Sequence, residues 1–545
     1  MLPSKIISPL LFTIALFLAV IVTALLFNVF DSFSFNALNS TITQGQMVES
    51  NAEFEKGVLE NLIIRKGGER GGQTEMALKV SQIDFEKSII ADNFLSARSV
   101  HATDLDNDGD MDILGAARYI HEIAWWENKG NTAFVKHVID NNFRGAFSVH
   151  SADLNQDGYQ DIIGASLYDG IIAWWENQHN GTFINRKIID NNFVGAIYTY
   201  SADIDEDGYA DVLGAAESAD QVAWWRNQGD GTFGKRIIIG DNFTGARSVH
   251  AVDVDNDGDV DVLGAARFID EIAWWENKDG EGNEFVKRIV DNNFDGPRSV
   301  HATDIDGDGD MDILGAARYG HQIALWENNG NKIFNKIIIA NNFRGATNVF
   351  TADIDRDGKE DIIAAAVFGD QVAWWKNEGN LRFTEFIIDY DFDAATFVYP
   401  ADINKDGYLD ILSAAVFDNQ IALWTSRPQY LSPGVFTSAI LEKKEKRLID
   451  LNWVGVSLPH TFLRFQIRSG NSREELIASN WYGPTLQNNY YTVTGTKINA
   501  IHNEHQLMQY RVFFTTDDII SSPKLDKVFI NYDSIFYPGA NSGRD

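Results

Sequence analysis

The run Asp104-Leu-Asp106-Asn-Asp108-Gly109-Asp110-Met-Asp112 gathers side chains suited to holding a metal ion. Acidic groups stand at positions 1, 3, 5 and 9, with glycine at position 6. Calcium takes roughly six to eight oxygens, and a loop of this kind supplies carboxylates from alternate positions plus the carbonyl of position 7. Glycine permits the sharp turn that a bulkier residue resists. The chemistry implied is hard-cation binding.

Six further copies begin at Asp153, Asp203, Asp253, Asp304, Asp353 and Asp402, at intervals of 49, 50, 50, 51, 49 and 49 residues. One acidic loop is an ordinary turn composition; seven in register are a repeat. Position 12 of the first copy is Gly115, where a helix-flanked calcium loop needs a bidentate glutamate. The flanks, Ser99 to Ala102 and Asp112 to Gly115, read as strands. The chain of 545 residues has a net charge of −33, and without the 29 loop aspartates the balance would be −4. Acidity is therefore a property of the loops. It argues against nucleic acid as a partner, because phosphate binding needs a basic face. With no cysteine, disulfide frameworks and thiolate metal sites are excluded.

Four strand-like pieces make up each unit and must position the loop. In the second unit they are Ser148 to Ala152, Asp161 to Ala165, Ile171 to Trp175 and Phe183 to Ile189, followed by the connector Asn191 to Ala196. Four short strands at a period near 50 describe a propeller blade. The adjacent pairs Trp125/Trp126, Trp174/Trp175, Trp224/Trp225, Trp274/Trp275 and Trp374/Trp375 point to opposite faces of a strand, so both faces of each sheet need cover. Leu325/Trp326 and Leu423/Trp424 fill the same places. The first piece of the fourth type, Phe85 to Ile90, precedes the first loop, and none follows Ile421 to Trp424. The two should pair and complete the seventh blade, leaving no open edge.

The loops and their setting resemble the FG-GAP or VCBS repeats of integrin α-subunit propellers and their microbial relatives, over residues 85–425. The resemblance implies a seven-bladed β-propeller with up to seven Ca2+ ions between the first and second strands of each blade. Carried over by position, the ligating positions are Asp104, Asp106, Asp108, Asp110 and Asp112 in the first loop and Asp153, Asn155, Asp157, Tyr159 and Asp161 in the second. They are Asp203, Asp205, Asp207, Tyr209 and Asp211 in the third, and Asp253, Asp255, Asp257, Asp259 and Asp261 in the fourth. The fifth has Asp304, Asp306, Asp308, Asp310 and Asp312; the sixth, Asp353, Asp355, Asp357, Lys359 and Asp361; the seventh, Asp402, Asn404, Asp406, Tyr408 and Asp410. Position 7 acts through its carbonyl. Asn155 and Asn404 each replace a carboxylate and should weaken their sites. The calcium is expected to be structural.

Outside the repeat, residues 1–30 hold an uncharged stretch, Leu10 to Phe27, long enough for a membrane helix. It reads as an uncleaved anchor or, alternatively, a cleaved signal segment. Lys5 to Leu10 also resembles the start of archaeal pilin-like proteins. Either way the rest of the chain is expected on the extracellular face, membrane-anchored or secreted. Residues 31–84 read as a linker of low order, with one possible strand over Leu59 to Arg65. Residues 426–434 read as a second linker, 435–535 as a β-sandwich from their period-2 alternation, and 536–545 as a tail. The fold class is all-β.

His101, His150, His250 and His301 stand three residues before their loops, where Tyr200, Phe350 and Tyr399 hold the matching places. Channel packing is the expectation, with a transition-metal ring as the alternative. Arg98, Arg247 and Arg298, with Arg118, Arg267 and Arg318, mark the first, fourth and fifth units only. Pairing with local aspartates is expected; a patch for an acidic glycan or peptide is the alternative. Trp453 and Trp481 are expected in a core, with a sugar platform as the alternative. No G-x-S-x-G, H-E-x-x-H or P-loop occurs. Two functions fit: a surface adhesion or binding module for an extracellular protein or glycan, or an extracellular polysaccharide-acting enzyme such as a lyase.

Overall fold

The computed structural model describes residues 42–49, 58–65 and 75–535, apart from residues 131–132, 184–185, 331, 444–445, 486, 488 and 518–519. The apolar stretch expected to be an anchor or signal lies outside them. Among the described residues no helix is long and apolar enough to cross a membrane.

The chain is all-β. Seven four-stranded antiparallel sheets follow one another, the first six each ordered as the sequence runs. In the second they are Ala146–Ala152, Asp161–Ser166, Ile171–Trp175 and Lys187–Asp190. The seventh takes its outer strand from before the first loop. Val80–Ala91 pairs with Gln420–Tyr430, placing Ile89 opposite Ala422 and Lys87 opposite Trp424. The expected ring joint between Phe85–Ile90 and Ile421–Trp424 is therefore present.

Why the sheets stack is visible in the tryptophans. All twelve on the third strands are at most 3% exposed. Trp125 packs with Val149, Ile162 and Trp175 of the second sheet, whereas its neighbour Trp126 packs with Leu412, Ile421 and Leu423 of the seventh. Burying one indole removes about 150–250 Å² from water, roughly 5 kcal/mol at 25 cal/mol/Å². A phenylalanine from each connector meets the second ring of the pair edge-on, as Phe94 does Trp126 at 5.1 Å. In the first five units a glycine of the second strand lies beneath this contact, its place taken by Ala364 and Ser413 in the last two. A Cβ on Gly115 would stand 2.6 Å from Ile421 Cδ1 and 3.1 Å from the Phe94 ring.

The circle closes. Clusters of this kind join the second sheet to the third, the third to the fourth, the fourth to the fifth, the fifth to the sixth and the sixth to the seventh. With the two named above they return the ring to the first sheet.

Two corrections concern what lies outside the ring. Residues 31–84, expected to be a linker with one possible strand, contribute Ile42–Glu49, Val58–Glu60, Leu62–Arg65 and Glu75–Leu78 to the C-terminal module. Ile42–Glu49 pairs with Lys524–Ile535, and Val58–Glu60 with Gly434–Thr437. The expected linker 426–434 is occupied up to Tyr430 by the third strand of the seventh sheet. In the module, one sheet holds Lys446–Val456 and Lys524–Ile535, the other Thr461–Gly470 and Leu507–Thr516. Both contribute to one core, with Leu451, Val528 and Ile530 from the first and Phe465, Ile467 and Val512 from the second. Trp453 packs on that core and stacks on Phe465 at 4.4 Å. Trp481, expected in a core, is instead half-buried outside that cluster, with the guanidiniums of Arg468 and Arg511 each 4.5 Å from its ring.

Candidate functional site

All seven acidic loops share one backbone. The position-6 glycines have φ between 87° and 100°, from Gly158 through Gly109 to Gly258. Position 4 is also left-handed, even at Gln156, Glu206, Arg356 and Lys405. Strain of this kind persists only where the surroundings hold it, and here the first aspartate does so. Asp104 Oδ2 accepts from Gly109 N at 2.9 Å, and Asp253 and Asp402 accept from Gly258 and Gly407 at the same distance. Asn155 and Asn404 keep the turn, accepting from Asp157 N and Asp406 N at 3.0 and 2.9 Å, but bring no charge.

The carboxylates converge. Oxygens of Asp104, Asp106 and Asp108 lie within 4.8 Å of one another, as do those of Asp304, Asp306 and Asp308. In the third and fourth loops the groups are Asp203, Asp205 and Asp211, and Asp253, Asp255 and Asp261. Several oxygens are buried with no hydrogen-bond donor among the described residues: Oδ1 of Asp104, Asp205, Asp255 and Asp402. A buried anionic oxygen without a partner is costly, and hard oxygen donors in this number suit calcium. The residues present fit that ion. Position-7 side chains do other work: Tyr159 stacks on His179 at 4.3 Å, and Tyr408 enters the core of the C-terminal module, its hydroxyl accepting from Tyr430 at 2.8 Å.

Protein cations already reach some loops. Arg226 Nε stands 2.5 Å from Asp205 Oδ2, and Lys332 pairs with Asp255. In the sixth loop Lys376 pairs with Asp355, and Lys359 Nζ donates to Asp357 Oδ2 at 2.8 Å. For the Asp304, Asp306 and Asp308 carboxylates no such pairing occurs among the described residues.

Position 9 has a structural task that the sequence reading did not assign. Asp211 Oδ2 accepts from Ile204 N at 3.0 Å, while its Oδ1 accepts from Asn227 N at 2.7 Å. Burial pushes the carboxyls of Asp112, Asp161, Asp211, Asp312 and Asp410 up to about 7, and those of Asp261 and Asp361 up to about 8. A negative charge there wants further compensation.

Asn227 also latches neighbouring sheets. Its Nδ2 donates to Ala210 O of its own loop at 2.9 Å and to Leu154 O of the preceding loop at 2.8 Å. Asn128, Asn177, Asn277, Asn328 and Asn377 repeat this, and Asn128 reaches Ile403 O across the ring joint. At the joint between the sixth and seventh sheets the residue is Ser426, whose Oγ has no hydrogen-bond partner among the described residues. The signal was legible as an asparagine two residues after each Trp place, absent only in the seventh unit.

Inside the loop rim the channel is plugged. His101, His150, Tyr200, His250, His301, Phe350 and Tyr399 form a closed circle of seven rings, with centroids 4.6 to 5.4 Å apart. His101 Nε2 pairs with Ser151 Oγ at 3.0 Å, and His301 Nε2 with Thr351 Oγ1 at 3.2 Å. Burial pulls the His150 and His250 imidazoles down to about 4 and those of His101 and His301 well below their ordinary value, so all four are neutral at pH 7. This is packing, as expected.

The six arginines lie beyond the plug, at the other mouth. Their expected pairing with aspartates does not occur among the described residues. The one carboxylate they share is Glu217, 2.6 Å from Arg247 Nη1 and 2.8 Å from Arg267 Nη1. The aspartates of the same strands stand at the opposite end.

A family model described as FG-GAP-like repeat matches residues 104–164, 153–214, 203–264 and 304–364. No curated protein matches the chain. Among solved structures, a lectin of Agrocybe aegerita that recognises non-reducing terminal N-acetylglucosamine is similar at 18% identity, covering 66% of this chain and 95% of its own, with a TM-score of 0.41. A streptogramin B lyase is similar at 12% identity, covering 63% of this chain and 98% of its own, with a TM-score of 0.46.

Proposed function

From a chain that carries FG-GAP-like repeats, in keeping with the FG-GAP/VCBS repeat family, we propose an extracellular ligand-binding module: a closed seven-bladed β-propeller stiffened by calcium in its inner loops. The observation that carries this reading is the set of buried carboxylate oxygens without donors among the described residues, at Asp104, Asp205, Asp255 and Asp402. Asp104, Asp106 and Asp108, and their counterparts in the other loops, would hold the ion. Calcium supplies charge neutralisation there and no chemistry. The loop amides and the Asn latches orient the carboxylates, and the seven rings below keep the rim from collapsing into the channel.

The apolar stretch Leu10 to Phe27 supports display at the outer membrane face, with release after cleavage as the alternative. With calcium at ten times its dissociation constant, linkage gives about 1.4 kcal/mol per occupied site. Thermal unfolding in 2 mM calcium against excess EDTA tests the reading. A melting temperature lower by ten degrees or more in EDTA is expected, and coincident curves would overturn it.

A further inference from the structure

The mouth opposite the acidic loops opens a cavity of about 290 Å³, lined by Arg98, Arg247, Arg298 and Arg318 together with Phe147 and Phe397. Arg118 and Arg267 flank it in the turns after the second strands. Against six guanidiniums stands Glu217 alone, bonded to Arg247 and Arg267. Arg98 and Arg298 have neither hydrogen bond nor ion pair among the described residues, and Nε of Arg98, Arg267, Arg298 and Arg318 is buried without an acceptor. Burial, and then repulsion from neighbouring guanidiniums, pulls Arg98 down to about 10, which leaves it cationic at neutral pH.

The scaffold does not need these charges. At the same two positions the second, sixth and seventh units carry Phe147 and Leu167, Thr347 and Val367, and Thr396 and Val416. Like charges gathered in one concavity destabilise the fold that holds them, in a chain whose net charge is −33. Around the cavity six aromatic rings face solvent: Tyr119, Tyr168, Phe268, Tyr319, Phe368 and Phe417, between 40% and 69% exposed. In the third unit the place is taken by Ser218, beside Glu217. The rings are aligned with the cations. Arg118 Nε donates to Tyr168 OH at 2.9 Å, and the Arg318 guanidinium lies 4.7 Å from the Phe368 centroid.

We propose that this mouth binds an acidic oligosaccharide, its carboxylates or sulfates on the guanidinium forks and its pyranose faces on the exposed rings. Forked guanidiniums match carboxylate and sulfate oxygens two at a time. Flat apolar rings match sugar faces; an acidic peptide offers the charges without such a face. The inference rests on the ligand-binding reading and names its ligand class.

Titration calorimetry on the full chain at fixed 1 mM calcium tests it, with hyaluronan decasaccharide and chondroitin sulfate oligosaccharide as probes. Chitohexaose, polyglutamate and sodium sulfate serve as controls. Binding of at least one acidic oligosaccharide is expected, weakening as salt rises. Arg98→Gln with Arg298→Gln should reduce it at least about tenfold, with calcium uptake unchanged and the melting temperature not lowered. Glu217→Gln, which removes the competing carboxylate, should raise affinity a few-fold. Carboxylate and sulfate preference is read from the two probes. Equal binding of chitohexaose, tighter binding of polyglutamate, saturation by sulfate alone, or no binding of either probe would each overturn the proposal. So would a double variant that folds and binds as before. Failure of calcium to stabilise the chain, with oligosaccharide binding intact, would remove the calcium reading and leave this one standing.

Discussion

The two ends of one inner strand carry opposite charge and opposite regularity. At the loop end all seven units repeat the same acidic turn, the same glycine and the same position-9 aspartate. At the other end only the first, fourth and fifth units bring paired arginines, and the third brings a glutamate. A feature that every unit needs in order to fold appears in every unit. A feature that serves one ligand can sit in some units and not others. Regularity at the loops therefore points to structure, and irregularity at the arginine mouth to recognition.

The comparison can be broken at several places. The largest effect belongs to the ion. Removing calcium should cost on the order of 10 kcal/mol if all seven loops are loaded at ten times their dissociation constants, read as a loss of melting temperature. Arginine substitutions at the other mouth, which relieve repulsion between guanidiniums, should leave that temperature unchanged or raise it. If both ends shift stability equally, the division between structure and recognition is wrong.

Next comes the latch. Asn227→Ala strips two buried carbonyls of their donor and should cost about 3 kcal/mol, seen in urea unfolding. The converse variant, Ser426→Asn, offers a donor to the one joint without this latch and should stabilise by up to about 1 kcal/mol.

Acid gives a smaller effect with a definite sign. The plug imidazoles titrate lower in the folded chain than unfolded, with His150 and His250 near 4 against an ordinary 6.5. The unfolded chain thus binds protons first. The contribution of these imidazoles to stability is full above about 6.5 and is lost as pH falls toward 4. Replacing His150 and His250 by phenylalanine, as Phe350 already stands in the sixth unit, should reduce the loss between pH 7 and 5 by about 1 kcal/mol or more. An identical pH profile for the double variant would argue that the imidazoles are not buried neutral.

The smallest effect sharpens differences among the loops. Lys376 pairs with Asp355, where calcium would sit. Lys376→Met should raise the calcium affinity of the sixth loop a few-fold, measured by competition with a chromophoric chelator.

Much of this was legible because it is local. Nine consecutive residues specify each loop, and adjacent tryptophans specify a sheet covered on both faces. The ring joint was legible by counting, since one strand of the fourth type came early and none came late. What was not legible depends on distant pairing. Asn227 donates to a carbonyl 73 residues away, and only a register between neighbouring units makes that contact. Ile42–Glu49 finds its partner at Lys524–Ile535, and nothing in its own composition announces that strand. The arginines were expected to meet aspartates because both abound nearby in sequence. On an extended strand, however, Arg98 and Asp104 stand at opposite ends of the channel wall.

Calcium uptake per chain, measured by equilibrium dialysis on the full protein after chelator treatment, tests the central claim most directly. Several ions bound per chain, up to seven, with the first and fifth loops losing theirs when Asp106 and Asp306 are changed to alanine, is the result expected. No uptake at millimolar calcium by a folded chain would contradict it.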